Sequence, residues 1–325
     1  MKTGTNLICA PLPLWRNSPP PTLPGEASIG SGLVFPSGRQ ALTRALNLFG
    51  LGRKDRVALP EWSSACVINA VSRQAFPLPI KEVLAHRISV QALVLYEQWG
   101  WPFPENVLNR IFDEFPGVKV VLDKVDSAPL YFAETDGGRQ LAEIWSLSKV
   151  LGLRGGGLLR LNDEWSVPEF EQQDTARLAA MEAMEDAVFV DEIAKTDIAC
   201  VPGAVLEYVE GCNLEGVYRR EAEARRENLS TVAVFPAAKG WDDWMKKALN
   251  KKYSPGIAPL FRGQGKDRLQ EIAAVLAARQ GIETKPYHFN FSGDPLNPAY
   301  EMCLAMPIHG MLTTDLIAAA LEHLN

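Results

Sequence analysis

Short apolar runs alternate with helical stretches through the first half of the chain. The runs lie at residues 57–59, 93–96, 118–122 and 144–147. Between them, residues 67–71 and 107–115 have helical character. Apolar runs without polar alternation, separated by helices, are typical of a parallel sheet that is covered on both faces. The pattern therefore predicts an α/β domain in which ligands bind at the carboxyl ends of the strands.

A helix is predicted just before the first of these runs. Four apolar residues fall on one helical face, at i, i+3, i+4 and i+7: Leu42, Ala45, Leu46 and Phe49. Ser37 can cap the start of this helix and Gly50 can end it. Residues 1–36 are rich in proline, glycine and serine, which predicts an irregular arm ahead of the helix.

The second half of the chain has a different pattern. An acidic helical region is expected from about residue 167 to 192, and a second charged helix over roughly 207–229. Four strands are predicted after it, at residues 232–235, 258–261, 282–287 and 304–307. Two amphipathic helices accompany them, one closed by Gly281 and one opened by Thr313. We expect a large α/β domain over 37–228 and a smaller α+β lobe over 229–325.

Composition narrows the class of protein. Hydrophobic residues make up 47% and charged residues 22% of the 325 residues, as in ordinary globular proteins. A net charge of −6 argues against a nucleic-acid partner, which needs a basic surface. No apolar run has the length of a membrane span, and the N-terminus has no signal-peptide pattern. The 5 cysteines and 4 histidines are scattered, so we expect neither a disulfide framework nor a metal site, and a cytoplasmic location.

One lysine stands out chemically. Lys149 closes the segment Ile144-Trp-Ser-Leu-Ser-Lys149, between an apolar run and the glycine triplet at 155–157. A lysine on such constrained backbone can be partly desolvated, which lowers its pKa and makes it a usable amine nucleophile. The triplet lacks both the Walker ending and the GxGxxG setting of nucleotide-binding loops.

Two further features are placed where ligands bind. Asp123 directly follows the apolar run at 118–122, and Asp126, three residues on, is a competing choice. A turn or cap carboxylate is the alternative explanation for either. Ser37-Gly38-Arg39 stands at a loop-to-helix junction, whose unpaired amides suit a phosphate group. Most such junctions are plain helix caps.

Taken in order, these segments resemble the DegT/DnrJ/EryC1/StrS group of fold-type-I pyridoxal-phosphate (PLP) enzymes, best known as nucleotide-sugar aminotransferases. The resemblance runs from about residue 33 to the end of the chain. It is carried by Phe35-Pro-Ser-Gly-Arg-Gln-Ala-Leu42, Asp55-Arg-Val-Ala-Leu-Pro60, Val120-Val-Leu-Asp-Lys-Val-Asp126, Ser146-Leu-Ser-Lys149, Gly281-Ile-Glu-Thr284 and Met306-Pro-Ile-His309. It implies a mostly parallel central sheet with flanking helices, a smaller α+β C-terminal lobe, and a homodimer.

The resemblance also implies roles for two charged residues. Lys149 would carry the cofactor as a Schiff base and then shuttle a proton. Asp123 would pair with the pyridine nitrogen and keep it protonated, which strengthens the ring as an electron sink.

The resemblance implies how the rest of the cofactor is held. The backbone at Gly38 and Arg39, together with a hydroxyl from Ser146 or Ser148, would bind the phosphate. Trp62 is the candidate to stack on the cofactor ring. In members of the group the stacking aromatic comes four residues after the proline, where this chain has serine.

The implied function is transfer of an amino group from an amino acid to a keto-sugar or related carbonyl compound, a nucleotide-linked sugar among the candidates. A first alternative keeps the cofactor but performs an elimination, dehydration or decarboxylation. Retention of Lys149 argues against the dehydratases of the group, in which histidine replaces that lysine. A second alternative is a non-catalytic homologue that binds a partner.

Overall fold

The structure is a computed structural model that describes residues 8–9, 32–104, 106–128, 130, 139–162 and 201–324. The strands are β1 Ile8–Cys9, β2 Leu33–Phe35, β3 Arg56–Leu59, β4 Phe76–Pro79, β5 Ala92–Tyr96, β6 Lys119–Asp123, β7 Leu141–Ser146, β8 Gly157–Leu161, β9 Ile257–Leu260, β10 Ile282–Glu283, β11 Pro286–Asn290 and β12 Tyr300–Pro307. The helices are α1 Gly38–Leu48, α2 Ala65–Gln74, α3 Ile80–His86, α4 Val107–Glu114, α5 Leu147–Leu151, α6 Gly203–Glu210, α7 Leu214–Val232, α8 Asp242–Asn250, α9 Lys266–Gln280 and α10 Thr314–Glu322.

The central sheet has seven strands in the order β2-β8-β7-β6-β5-β3-β4. Every neighbouring pair from β7 to β4 is parallel, whereas β8 runs antiparallel to both β7 and β2. The predicted fold class, a mostly parallel sheet with flanking helices, is confirmed.

Helices cover both faces of this sheet. Along β5, Ala92 and Val94 pack with α1 and α2 on one face, while Leu93 and Leu95 pack with α3 and α4 on the other. Because both faces are buried, the strand has no polar alternation, which is why its sequence is a continuous apolar run.

The first helix forms as predicted. Ser37 is its N-cap, and the Ser37 side chain accepts a hydrogen bond from the amide of Gln40. The four apolar residues of the predicted face are buried: Leu42, Ala45, Leu46 and Phe49. Gly50 follows the helix with a positive φ of 68°, which glycine adopts without strain.

The C-terminal part of the chain has its own sheet and its own core. Strands β11, β12 and β9 form an antiparallel sheet, against which α8, α9 and α10 pack. Trp99 and Trp101, from the segment after β5, insert into this core. The segment that follows β5 of the central sheet therefore packs into the core of the C-terminal sheet.

Several predicted boundaries are wrong. The predicted strand at 232–235 does not form, since α7 continues to Val232 and a 3-10 turn begins at Pro236. Val234 is exposed, so this apolar run covers no sheet face. The predicted strand at 282–287 divides into β10 and β11. The charged helix predicted at 207–229 divides into α6 and α7, where Asn213 caps the second helix.

The predicted arm over residues 1–36 contains regular structure. β2 joins the central sheet, and β1 pairs in parallel with β10. Residues 10–31 and the acidic region predicted at 167–192 lie outside the described residues. The predicted division at residue 228 falls within α7, whose last turn packs into the C-terminal core, and the domain boundary stays a prediction. None of the described helices has the length and apolarity to cross a bilayer.

Candidate active site

A cavity of about 660 Å³ lies at the carboxyl ends of the central strands. This is where a parallel α/β sheet binds its ligands. The cavity is lined by all of the site residues that the sequence predicts: Gly38, Arg39, Trp62, Asp123, Ser146, Ser148 and Lys149.

Lys149 reaches the cavity from a short helix, α5, which lies between β7 and the glycine triplet. Ser146 ends β7 and caps α5, and its Oγ accepts a hydrogen bond from the Lys149 amide at 3.3 Å. Gly152, in the left-handed region, ends this helix after five residues. The lysine is therefore held on a single helical turn, with its side chain about one-third exposed at 34%.

Asp126 is the direct partner of Lys149. Its Oδ2 atom accepts hydrogen bonds from Lys149 Nζ at 3.1 Å and from the Tyr96 hydroxyl at 2.5 Å. The backbone of Asp126 is also anchored, because the guanidinium of Arg225 donates to its carbonyl at 2.7 Å. Gly100 has a φ of 78°, and a Cβ there would lie 2.7 Å from the same carbonyl, so only glycine fits.

Asp123 lies at the end of β6, as predicted, and is buried. Its Oδ1 atom accepts a hydrogen bond from the amide of Val125. Burial raises the pKa of Asp123 to about 7, with the attraction of Lys149 opposing and the repulsion of Asp126 adding to the shift. A buried carboxyl of this kind suits a cationic partner, such as a protonated pyridine nitrogen.

The charge state of Lys149 differs from the expectation. Burial alone lowers the pKa of Lys149, but the carboxylates of Asp126 and Asp123 outweigh it and raise that pKa above its ordinary value. The predicted lowering is wrong, because the sequence indicates the desolvation but does not show that two carboxylates converge on the amine.

The loop at the start of α1 offers the predicted phosphate site. Residues 37–39 open α1 toward the cavity, and Ser37 pairs with Gly156 in the glycine triplet. A Cβ on Gly157 would collide with the backbone of Ser37 and Gly38, so the triplet lets the loop approach closely. The hydroxyls of Ser146 and Ser148 lie 3.4 Å apart beside it. Helix amides and hydroxyls together fit a phosphate group.

Trp62 lines the cavity at its rim. Its ring stacks on His288 with centroids 3.8 Å apart and an interplanar angle of 8°, and Tyr300 meets it edge-on. Half of Trp62 is exposed, at 52%. One ring face is thus occupied by a residue of the C-terminal lobe, and stacking of Trp62 on a cofactor ring stays a prediction.

Sequence reasoning missed Tyr96 and Arg225, and it weighed Asp126 only as an alternative to Asp123. A signal for Tyr96 was present, because it ends β5 and pairs in register with Asp123 on β6. Residues that end neighbouring parallel strands lie at one edge of the sheet. No comparable signal pointed to Arg225, which lies on a charged helix.

Comparisons with known proteins agree with the fold of this chain. Residues 29–170 match the profile of a family described as “Putative PLP-dependent aminotransferase”. No curated relative matches the chain. Among solved structures, a protein described as “Putative sugar aminotransferase” from Streptococcus pneumoniae, in its PMP form, superimposes with a TM-score of 0.57 at 13% identity, covering 90% of this chain and 84% of that chain. The chain has the fold of the PLP-dependent aminotransferases.

Two further structures share this aminotransferase fold. The 3-amino-5-hydroxybenzoic acid synthase has a TM-score of 0.57 at 15% identity, covering 90% of this chain and 86% of its own. DesI, solved in the presence of its TDP-sugar product, has a TM-score of 0.57 at 16% identity, covering 90% of this chain and 79% of its own. The family match and the fold indicate a PLP-dependent aminotransferase, and its cofactor is pyridoxal 5′-phosphate.

Proposed function

We propose that this chain transfers an amino group from an amino acid to the carbonyl carbon of a keto-sugar or a related carbonyl compound, with Lys149 as the residue that carries PLP. One observation carries the proposal: the amine of Lys149, the buried carboxyl of Asp123 and the amide-rich start of α1 line a single cavity, and a second buried carboxyl, that of Asp126, accepts a hydrogen bond from the same amine. We also assign the chain to the DegT/DnrJ/EryC1/StrS group, on the ordered segments from about residue 33 onward.

Asp123 faces the pyridine nitrogen in this proposal. When bound, PLP acts as an electron sink that stabilises negative charge on the carbon bearing the amino group. Asp123 strengthens that sink by holding a proton on the ring nitrogen. The positive nitrogen in turn favours the charged carboxylate and so opposes the burial that raises the pKa of Asp123.

Lys149 moves the proton, and Asp126 controls the charge of its amine. A carboxylate at 3.1 Å stabilises the ammonium form, so it holds a proton on Nζ between transfers. Burial and the neighbouring Asp126 raise the pKa of Tyr96 well above its ordinary value, so its hydroxyl stays protonated and donates to Asp126. Two donors on one oxygen keep Asp126 in place as an acceptor.

The phosphate end is held by the backbone at Gly38 and Arg39 and by the hydroxyls of Ser146 and Ser148. Unpaired amides at the start of α1 carry partial positive charge and point toward the anion. Because Ser146 also caps α5, the group that binds phosphate and the helix that carries Lys149 move together.

The sugar class rests on relatives and not on a contact in the cavity. A sugar aminotransferase and DesI, described with a TDP-sugar product, share the fold at low identity.

We also propose a homodimer, since sites of this fold type usually form between two subunits. A protein that elutes as a monomer with full activity in sizing experiments would exclude that arrangement.

The test is reconstitution with PLP followed by a half-reaction. The wild-type protein should turn yellow, whereas Lys149→Ala should stay colourless and lose activity by at least about 10³-fold. Lys54→Ala, an exposed lysine away from the cavity, is the matched control and should behave as wild type. Failure of wild type to take up colour would reject the proposal and favour a non-catalytic homologue.

The half-reaction separates transfer from the alternative chemistry. Glutamate or another amino acid should convert the bound cofactor to its pyridoxamine form and release the keto acid. If every amino acid leaves the cofactor in its PLP form while an amino-bearing substrate loses water or carbon dioxide, the reaction is an elimination or a decarboxylation, and aminotransfer is rejected.

A further inference from the structure

The outer strand of the C-terminal sheet is held by a side chain that follows β5 of the central sheet. β11 lies at the end of the three-stranded sheet, whose order is β11-β12-β9. An edge strand presents backbone N–H and C=O groups that no strand of its own sheet pairs. Gln98 bonds two of these groups. Its side-chain nitrogen donates to the carbonyl of His288 at 2.7 Å, and its side-chain oxygen accepts from the amide of Asn290 at 2.8 Å.

This contact of Gln98 resembles one rung of a β-ladder. A carbonyl and an amide two residues apart on one strand face the same side, where an adjacent strand would place a peptide group. The primary amide of glutamine carries a donor and an acceptor, as a peptide group does. Two bonds to one strand restrain both its distance and its direction. Gln98 therefore fixes β11 relative to the end of β5.

The position of β11 decides how the cofactor cavity is closed at its rim. Tyr287 and His288 of this strand line the cavity, as does Trp62 from the segment after β3. The ring of His288 stacks on Trp62, and Tyr287 meets Trp99 edge-on with centroids 4.9 Å apart. Since the carbonyl bound by Gln98 belongs to His288 itself, the polar contact and the ring stack restrain the same residue.

We propose that Gln98 is a positioning residue for the cofactor: by seating β11 it holds His288 against Trp62, and this pair of rings closes the rim of the cavity over PLP. The inference rests on the proposed function, since it places PLP on Lys149 inside that cavity. Gln98 acts here through the backbone of β11 and not through the reacting atoms. Loss of its side-chain amide should open the rim and leave the contact of Lys149 with Asp126 in place.

The first test measures how easily a small reagent reaches the bound cofactor. Wild type and Gln98→Met are loaded with PLP, and loss of the yellow colour is followed after addition of hydroxylamine, a water-soluble nucleophile. Methionine has a similar length but no donor and only a weak acceptor. Because two hydrogen bonds are lost, Gln98→Met should bleach at least about 5-fold faster than wild type. Gln264→Met, at an exposed glutamine ahead of α9, is the matched control and should bleach as wild type does.

Equal bleaching rates for wild type and Gln98→Met would overturn the proposal. Faster bleaching in Gln264→Met as well would also overturn it, because loss of any glutamine would then have the same effect.

A double-variant cycle tests whether Gln98 acts through His288. His288→Ala removes the ring that stacks on Trp62 but keeps the carbonyl that Gln98 binds. It should also bleach faster than wild type. The variant with both changes should be no faster than the faster single variant, since both changes open the same contact. Effects that multiply in the double variant would reject the proposal.

Hydrogen exchange in the cofactor-free protein tests the contact with β11 directly. The amide of Asn290 loses its acceptor in Gln98→Met, so the peptide that covers β11 should exchange faster, as measured by mass spectrometry. In His288→Ala the bond to Asn290 remains, and that amide should exchange as in wild type. Unchanged exchange in Gln98→Met would show that its side chain does not hold the strand.

The two measurements separate this inference from the proposed function. If wild type takes up PLP but Gln98→Met bleaches at the same rate, only the role of Gln98 is rejected. If wild type takes up no colour, the proposed function is rejected, and closure of the rim over PLP is rejected with it, whatever the exchange of β11 shows.

Discussion

Lys149 Nζ lies 3.1 Å from Asp126 Oδ2, and this contact joins the proposed cofactor lysine to a carboxylate that is itself buried. Tyr96 donates to the same oxygen, and Arg225 donates to the backbone carbonyl of the same residue. The lysine is thus part of a network that reaches from β5 to helix α7. Its proton affinity depends on residues from three separate segments.

Removal of the Asp126 charge should free the Lys149 amine. In Asp126→Asn the pKa of Lys149 should fall, because burial, which lowers it, is then opposed by Asp123 alone. In cofactor-free protein, the pH profile of Lys149 labelling by an amine-reactive reagent, followed by mass spectrometry, should move to lower pH. Activity of the loaded enzyme should drop about 10²-fold. Asp113→Asn, on the exposed face of α4, is the control, and an identical labelling profile in both variants would contradict the role given to Asp126.

Asp123 should make the stability of the cofactor-free protein depend on pH. Its pKa is raised from 3.8 to about 7, chiefly by burial, so between these values the native state holds a proton that the unfolded state has lost. The resulting stability is fully present below the unfolded pKa and is lost as the pH rises through the folded value.

Asp123→Asn removes this dependence because an amide stays neutral. Relative to wild type, its free energy of unfolding in urea should rise by roughly 2–3 kcal/mol between about pH 5 and about pH 8. The same variant should retain PLP less well, because the ring nitrogen loses its anionic partner. A constant difference between the two proteins at both pH values would show that Asp123 ionises normally.

Gly157→Ala should disturb the phosphate site. The added Cβ would collide with the backbone of Ser37 and Gly38, which must then shift from its present position beside the cavity. We expect a loss of about 1–3 kcal/mol in unfolding free energy and weaker PLP binding. Gly52→Ala is the matched control, since its Cβ would meet only Asp55 Oδ2, at an ordinary 3.8 Å. Wild-type PLP affinity in Gly157→Ala would argue against this loop as the phosphate site.

Arg225 should contribute both to the free energy of unfolding and to PLP binding at the candidate site. Burial would raise the pKa of Glu221, but Arg225, whose Nε donates to it at 2.8 Å, holds that pKa below its ordinary value. Arg225→Met leaves Glu221 charged, buried and without this cation, at an expected cost of about 3–5 kcal/mol. The double variant with Glu221→Gln should recover most of that loss.

The two readouts of the double variant differ. Stability measured in urea should return, but the carbonyl of Asp126 still lacks its donor, so PLP binding should stay impaired. Full recovery of both would show that Arg225 acts only through Glu221.

The sequence alone was sufficient to predict the strands and the helix that carry the candidate site residues. Strand β5 and the centre of β6 are apolar because both of their faces are covered, and Ser37 caps α1 through its own side chain. The positions of Asp123 and Lys149 follow from the same logic, since Asp123 ends β6 and Lys149 comes three residues after the end of β7. The apolar run at 232–235 failed as a predictor, because a short run cannot distinguish a strand from the end of a buried helix.

Tertiary structure alone decided which side chains meet. Asp126 rather than Asp123 is hydrogen-bonded to Lys149 because the chain turns after β6, and the direction of a side chain in a turn depends on what packs against it. The stacking of Trp62 on His288 and of Trp101 on Trp244 joins segments far apart in sequence. The spacing of apolar residues indicates which residues of a helix or strand are buried. It does not indicate which distant helix or strand covers them. The pKa of Lys149 depends on that packing.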